Sequence, residues 1–175
     1  MEQTCAPILG FVAYSSNTGK TTLLVKLITL LRRRGLRLGV IKHAHHRFEI
    51  DHEGKDSYVL RKAGAEQMLI ASRHRWALMV ETPDTGGEPR LSRLVARLDR
   101  DALDLILVEG FRHEAIPKIE LHRAALGNPL LAQKDDSIIA VASDTPLELP
   151  AGVAQLGIND AEQIAGFVWE RFLGD

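Results

Sequence analysis

The stretch ILGFVAYSSNTGKTTLL, residues 8–24, leaves a chain few choices of fold. Residues 8–13 are a short apolar run, bounded by the turn-forming cluster Ser15-Ser16-Asn17-Thr18-Gly19, and read as a strand. After Lys20-Thr21-Thr22 the apolar positions recur at helical spacing. Strand, loop and helix in this order, joined by Gly-Lys-Thr, are the parts of a loop that cradles polyphosphate. Backbone N–H groups face the anion, the lysine reaches the outer phosphates, and the following hydroxyl holds Mg²⁺. The N–H roles fall on Asn17, Thr18 and Gly19, the charge on Lys20, and the metal-holding hydroxyl on Thr21, with Thr22 next in the helix.

The usual spacing puts another glycine five residues before Gly19, at Tyr14, where a large side chain does not permit the same tight turn. The small residue is Ala13. A loop one residue longer, beginning at Ala13, restores a small residue at the turn, and the dethiobiotin-synthetase branch of P-loop proteins shows such a variant.

At 175 residues the chain fits one P-loop domain, 1–175, with a sizeable core. Its 45% hydrophobic and 26% charged residues match a soluble globular protein. A net charge of −1 argues against a general nucleic-acid or membrane-surface binder, so an anionic ligand must be held locally. Cys5 has no second cysteine to pair with, no charged-then-apolar leader precedes it, and the apolar runs are too short to span a bilayer. These features point to a cytoplasmic enzyme or nucleotide-binding protein.

The first helix covers 20–34, and Gly35 stops it. Arg32-Arg33-Arg34 sits at its C-terminal end, where cations complement the helix dipole, and needs no nucleic acid to explain it. Residues 36–42 form a second strand, parallel to the first across the helical crossover. The segment 42–57 follows, with four of the seven histidines within ten residues, among them His43, His45 and His46. It lies past a strand's carboxyl end, toward the crevice where α/β proteins bind ligands. Contact with phosphate or a second substrate, metal ligation and an inert solvated loop all remain open for it.

Residues 55–65 read as a helix closed by Gly64, with Asp56 in its first turn as a dipole partner or second-sphere Mg²⁺ ligand. Strands are expected at 67–71 and 76–81, a loop at 82–90 and an amphipathic helix at 91–98. The run LDLILVEGF, 103–111, reads as a central strand buried on both faces. Glu109 ends it at the place where P-loop proteins keep a Mg²⁺-coordinating or water-orienting carboxylate, and Gly110 lets backbone approach closely. Further strands are expected at 116–122, 137–143 and 156–158, with an irregular surface excursion over 124–136 and a last helix over 160–173 capped by Asp160. Asp144, just past a late strand, is placed either to accept from the N1 and N2 groups of guanine or simply to open a turn before Pro146. The whole pattern predicts a three-layer α/β P-loop fold, with a mostly parallel central sheet flanked by helices.

AYSSNTGKTTLL, then IKHAHH followed by GKDSYVLRKAGA, then LILVEGF, together resemble the molybdopterin-guanine dinucleotide biosynthesis protein B family. The resemblance spans nearly the whole chain, and its middle block is the most specific part. It implies a homodimeric GTP-binding protein with weak GTPase activity, assisting the guanylyltransferase that attaches GMP to molybdopterin, with molybdopterin a further candidate ligand. By position it assigns phosphate to Asn17, Thr18, Gly19, Lys20, Thr21 and Thr22, and Mg²⁺ to Thr21 and Glu109. Tyr14 and the longer loop depart from the family's commoner pattern. Two other classes share parts of the pattern. A metal-insertion GTPase similar to nickel-delivery factors would use His43, His45 and His46 but lacks paired cysteines; an ATP-dependent small-molecule kinase or ligase would need an acceptor site that the sequence does not mark.

Overall fold

The computed structural model describes residues 5–44, 48–82 and 87–174. They form two compact units, one of residues up to 43 and from 90 onward, the other of residues 44–89. In the first unit the elements run β1 (Ile8–Val12), α1 (Lys20–Arg33) and β2 (Leu38–Lys42), and the second unit interrupts the chain there. It contributes α2 (Asp56–Lys62), β3 (Gln67–Ala71) and β4 (Trp76–Val80). The first unit resumes with α3 (Leu91–Val95), β5 (Leu105–Glu109), β6 (Lys118–His122), β7 (Ile138–Ser143), β8 (Ala154–Gly157) and α4 (Ala161–Phe172).

The six strands of the first unit pair in the order β2-β5-β1-β6-β7-β8, all parallel. β1 and β2 are joined by α1 as expected, but β5 lies between them. Alternation along the strands explains the layers. Leu9, Phe11, Leu105, Leu107, Ile119 and Leu121 point to one face, where α1 contributes Leu23, Leu27 and Leu31 and α4 contributes Ile164 and Val168. On the opposite face, Ile106 and Val108 pack against Leu91 and Val95 of α3 and against Phe111, while Val12, Ile138 and Val141 pack against Ala132. β5 is buried on both sides, with Leu105 to Val108 fully shielded from solvent, as its unbroken apolar run implies.

Two expectations need correction. The helix expected over 91–98 stops at Val95, and Leu98 packs from the turn beyond it. The excursion 124–136 is not confined to the surface. It contains two short 3₁₀ turns, and Ala132 is buried because the carboxylate of Glu120, itself fully buried on β6, accepts the N–H groups of Leu131 and Ala132 at 2.9 Å each. Asp160 caps α4 by accepting from the N–H of Gln163 at 2.9 Å, as its position in the sequence predicts.

The second unit is a β3–β4 antiparallel hairpin with α2. Its centre is ionic: the Arg61 side chain, 8% exposed, donates to Glu49, Asp51 and Glu81 at 2.5–2.7 Å.

Candidate functional site

The carboxyl ends of β1, β2, β5, β6 and β7 meet along one edge of the parallel sheet, where the connections leave the sheet. Residues 13–19 join β1 to α1 there. Asn17 (φ 64°) and Gly19 (φ 95°) are left-handed and flank Thr18, a pattern that turns successive N–H groups toward one side. Gly19 is also the N-cap of α1, which has no side-chain cap and no acidic residue in its first turn. Its leading N–H groups, with the dipole behind them, are therefore left for an external anion. The Thr18 hydroxyl is buried without a hydrogen-bond partner among the described residues, so a donor is available in the same loop.

Lys20 is half-buried and its ammonium donates to the carbonyl of Ser15 at 3.3 Å, curling over the loop. Burial pushes its pKa down from the usual lysine range; the nearby Glu109 carboxylate opposes this and the Lys42 ammonium adds to it. A phosphate beside it would raise that pKa again. Tyr14, at the position of the absent glycine, is not left-handed; its ring is half-exposed, with the Arg112 guanidinium 6.0 Å from its centroid.

Glu109 ends β5 beside this loop. The Thr21 hydroxyl lies 3.2 and 3.4 Å from its two carboxylate oxygens, and the Lys42 ammonium at the end of β2 lies 3.3 and 3.4 Å from the same pair. A hydroxyl and a carboxylate converging within 3.4 Å beside a phosphate-type loop are the hard oxygen donors Mg²⁺ takes from protein, and Lys42 supplies the positive charge there. Gly110 fits the close approach expected of it: at φ 91° it is left-handed, and a Cβ there would stand 2.8 Å from the Cβ of His43. Phe111 is left-handed too, and its ring stacks on His43 with centroids 4.8 Å apart. Of the histidine cluster, His43 is thus beside Glu109, whereas His45 and His46 lie outside the described residues. Asp56 is the first residue of α2 in the second unit. Among the described residues, no group of three or more His, Cys, Asp or Glu side chains could hold a metal.

Asp144 follows β7 and is held by two donors, the N–H of Ala124 at 3.1 Å and the Arg123 guanidinium at 3.3 Å. These bonds, led by the one from Ala124, keep its pKa below the usual carboxylate range despite partial desolvation. A carboxylate has about four acceptor sites, so beyond these donors and its own backbone N–H it keeps some accepting capacity. It borders an open cleft of about 880 Å³ lined also by Val25, Thr29, Gly157 and Asn159.

Sequence reasoning did not find Arg123 or Asn128. Arg123 Nε donates to the carbonyl of Thr18 at 3.1 Å, and the Asn128 amide donates to the Ser15 hydroxyl at 2.7 Å. Both come from the segment after β6, and no local spacing relates them to a loop more than 100 residues earlier.

Residues 8–144 match the family model described as molybdopterin guanine dinucleotide synthesis protein B. The chain is 56% identical over 169 residues to the molybdopterin-guanine dinucleotide biosynthesis adapter protein of Escherichia coli, covering 96% of this chain and 94% of that one. It is 46% identical over 162 residues to the Haemophilus influenzae protein of the same description, covering 93% and 87%. The crystal structure of Bacillus subtilis MobB superposes with a TM-score of 0.73 at 25% identity, covering 97% of this chain and 99% of that one.

Proposed function

Because the chain belongs to the molybdopterin guanine dinucleotide synthesis protein B family, we propose that it acts there as a guanine-nucleotide-binding protein with weak Mg²⁺-dependent GTPase activity. Its role as an adapter in molybdopterin-guanine dinucleotide biosynthesis follows from the membership. The nucleotide reading goes further, and one observation carries it. The uncapped start of α1 and Lys20 stand beside a Thr21–Glu109 pair that already attracts the cation of Lys42.

In this reading the N–H groups of residues 17–22 and the Lys20 ammonium hold the phosphates, at the positive end of the helix dipole. Thr21 and Glu109 would hold Mg²⁺, which would supply positive charge against that of the phosphates. Lys42 releases the Glu109 carboxylate for that role and is left beside the phosphates. Asp144 accepts from guanine N1–H and N2–H, which adenine does not offer. The partner is the guanylyltransferase that attaches GMP to molybdopterin, and molybdopterin is a further candidate ligand. Slow hydrolysis suits such a helper, which need not turn over quickly to assist a partner enzyme. A homodimer is supported by the outer face of the β3–β4 hairpin, where Leu69 (59%), Leu78 (37%) and Trp76 (68%) are exposed side by side.

A pair of measurements on Glu109→Gln tests this. Nucleotide affinity in chelator should stay near the parent value, while single-turnover phosphate release with Mg²⁺ should fall at least about tenfold. Release at the parent rate from a folded variant would reduce Glu109 to an acid that ends a strand.

A further inference from the structure

Arg123 has the geometry of a tie. Its guanidinium reaches three separate connections at the edge of the sheet: Nε donates to the carbonyl of Thr18 in the β1–α1 loop at 3.1 Å, one terminal nitrogen to Asp144 after β7 at 3.3 Å, and the other to the side-chain oxygen of Asn159 after β8 at 3.2 Å. The second of those nitrogens would stand 3.6 Å from a Cβ placed on Gly19. The planar fork spreads its donors in fixed directions toward acceptors on three connections, a reach that the single ammonium of a lysine does not reproduce. The base of the tie is also fixed, because the N–H of Ala124, the next residue, is bound by Asp144.

We propose that Arg123 is a positioning residue that couples recognition of the base to the register of the phosphate loop. The proposal rests on the nucleotide reading above and names a residue to which that reading gives no role. Asp144 and Asn159 border the open cleft beside α1, while Thr18 lies between the two left-handed residues of the loop. Two groups that share one guanidinium cannot shift independently. A base that draws on the remaining accepting capacity of Asp144 therefore acts on the carboxylate that orients Arg123, and Arg123 in turn fixes the Thr18 peptide. The geometry thus makes guanine a better holder of the phosphate loop than adenine, through a residue that need touch neither base nor phosphate.

The test is a set of GTP and ATP titrations on the parent, Arg123→Ala, Arg123→Lys, Asp144→Asn and the double variant Arg123→Ala/Asp144→Asn, each with its thermal midpoint recorded. The expected result is that Arg123→Ala and Arg123→Lys each cut the preference for GTP over ATP at least about tenfold. Adding Asp144→Asn to Arg123→Ala should cost less preference than Asp144→Asn costs in the parent, since only the direct contact with the base is left to lose, and guanidinium ion at millimolar concentration should restore part of the preference in Arg123→Ala. A merely structural arginine would lower the thermal midpoint and weaken both nucleotides equally. Unchanged preference in either folded variant, or losses from Arg123→Ala and Asp144→Asn that multiply, would overturn the coupling while leaving the nucleotide site standing. A parent that binds neither nucleotide would instead remove the nucleotide reading and the coupling with it.

Discussion

The two units of the chain solve the problem of closure differently. The first buries an apolar layer on each face of a six-stranded parallel sheet, with Leu27, Leu31, Ile164 and Val168 covering one side. The second has two strands and a short helix, α2, that buries none of its residues, and among the unit's described residues only Met79 of β4 and Asp51 are buried. Its most enclosed centre is the Arg61 guanidinium among three carboxylates, which hold its pKa well above the usual value. A two-stranded hairpin is marginal by itself in water, and this one relies on an ionic centre while leaving an apolar face exposed. The lesson is that apolar content alone does not make a core. It must be presented on faces that other parts of the same unit can cover.

If that contrast is right, damage to the first unit should be global and severe. Ile119→Ala empties a fully buried position between β6 and the α1–α4 layer and should cost about 2–5 kcal/mol in denaturant unfolding. A loss below about 1 kcal/mol would mean that the layer is loosely packed. Next in size, Lys20→Ala should weaken GTP binding by one to two orders of magnitude, about 1.5–3 kcal/mol, with the thermal midpoint held. Arg61→Ala should raise hydrogen exchange across residues 48–82 and leave the exchange of β1 and β5 as it was, because its partners all lie in the second unit. Trp76→Asp should lower the molar mass in light scattering from dimer to monomer; an unchanged mass would take the hairpin face out of the proposed dimer.

The smallest expected effect is on pH. Lys20 has a lowered pKa in the free protein, chiefly from burial, and phosphate beside it would raise that pKa. Above the lowered value, nucleotide binding must therefore take up a proton, so affinity should fall as pH rises through the alkaline range below the usual lysine pKa. Lys20→Ala should flatten that slope, and an equal slope in parent and variant would assign it to another group.

The sequence foretold what depends on local pattern. The apolar run 103–111 became the doubly buried β5, and Gly-Lys-Thr at residues 19–21 marked the uncapped start of α1. Glu109 came within reach of Thr21 because a long apolar strand ends where α/β sheets expose their loops. β6 shows where pattern misleads. Lys118, Glu120 and His122 alternate with Ile119 and Leu121, which suggests a solvent face, yet all three are buried. Lys118 is enclosed by the carbonyls of Arg112 and Glu114 and by Asp135, and Glu120 by the N–H groups of Leu131 and Ala132. Those partners come from loops with no periodicity of their own. Arg123 was hidden for the same reason, since its acceptors Thr18, Asp144 and Asn159 are brought together only by the strand order.

If the strand-end edge of the first unit is the guanine-nucleotide site proposed above, the parent protein must discriminate between nucleotides. Calorimetric titration of the parent protein with GTP and with ATP, each in Mg²⁺ and in chelator, tests it most directly. Such a site should give saturable binding of GTP, tighter with Mg²⁺ than without, and weaker binding of ATP under both conditions. Absence of GTP binding, or equal affinity for the two nucleotides, would contradict it.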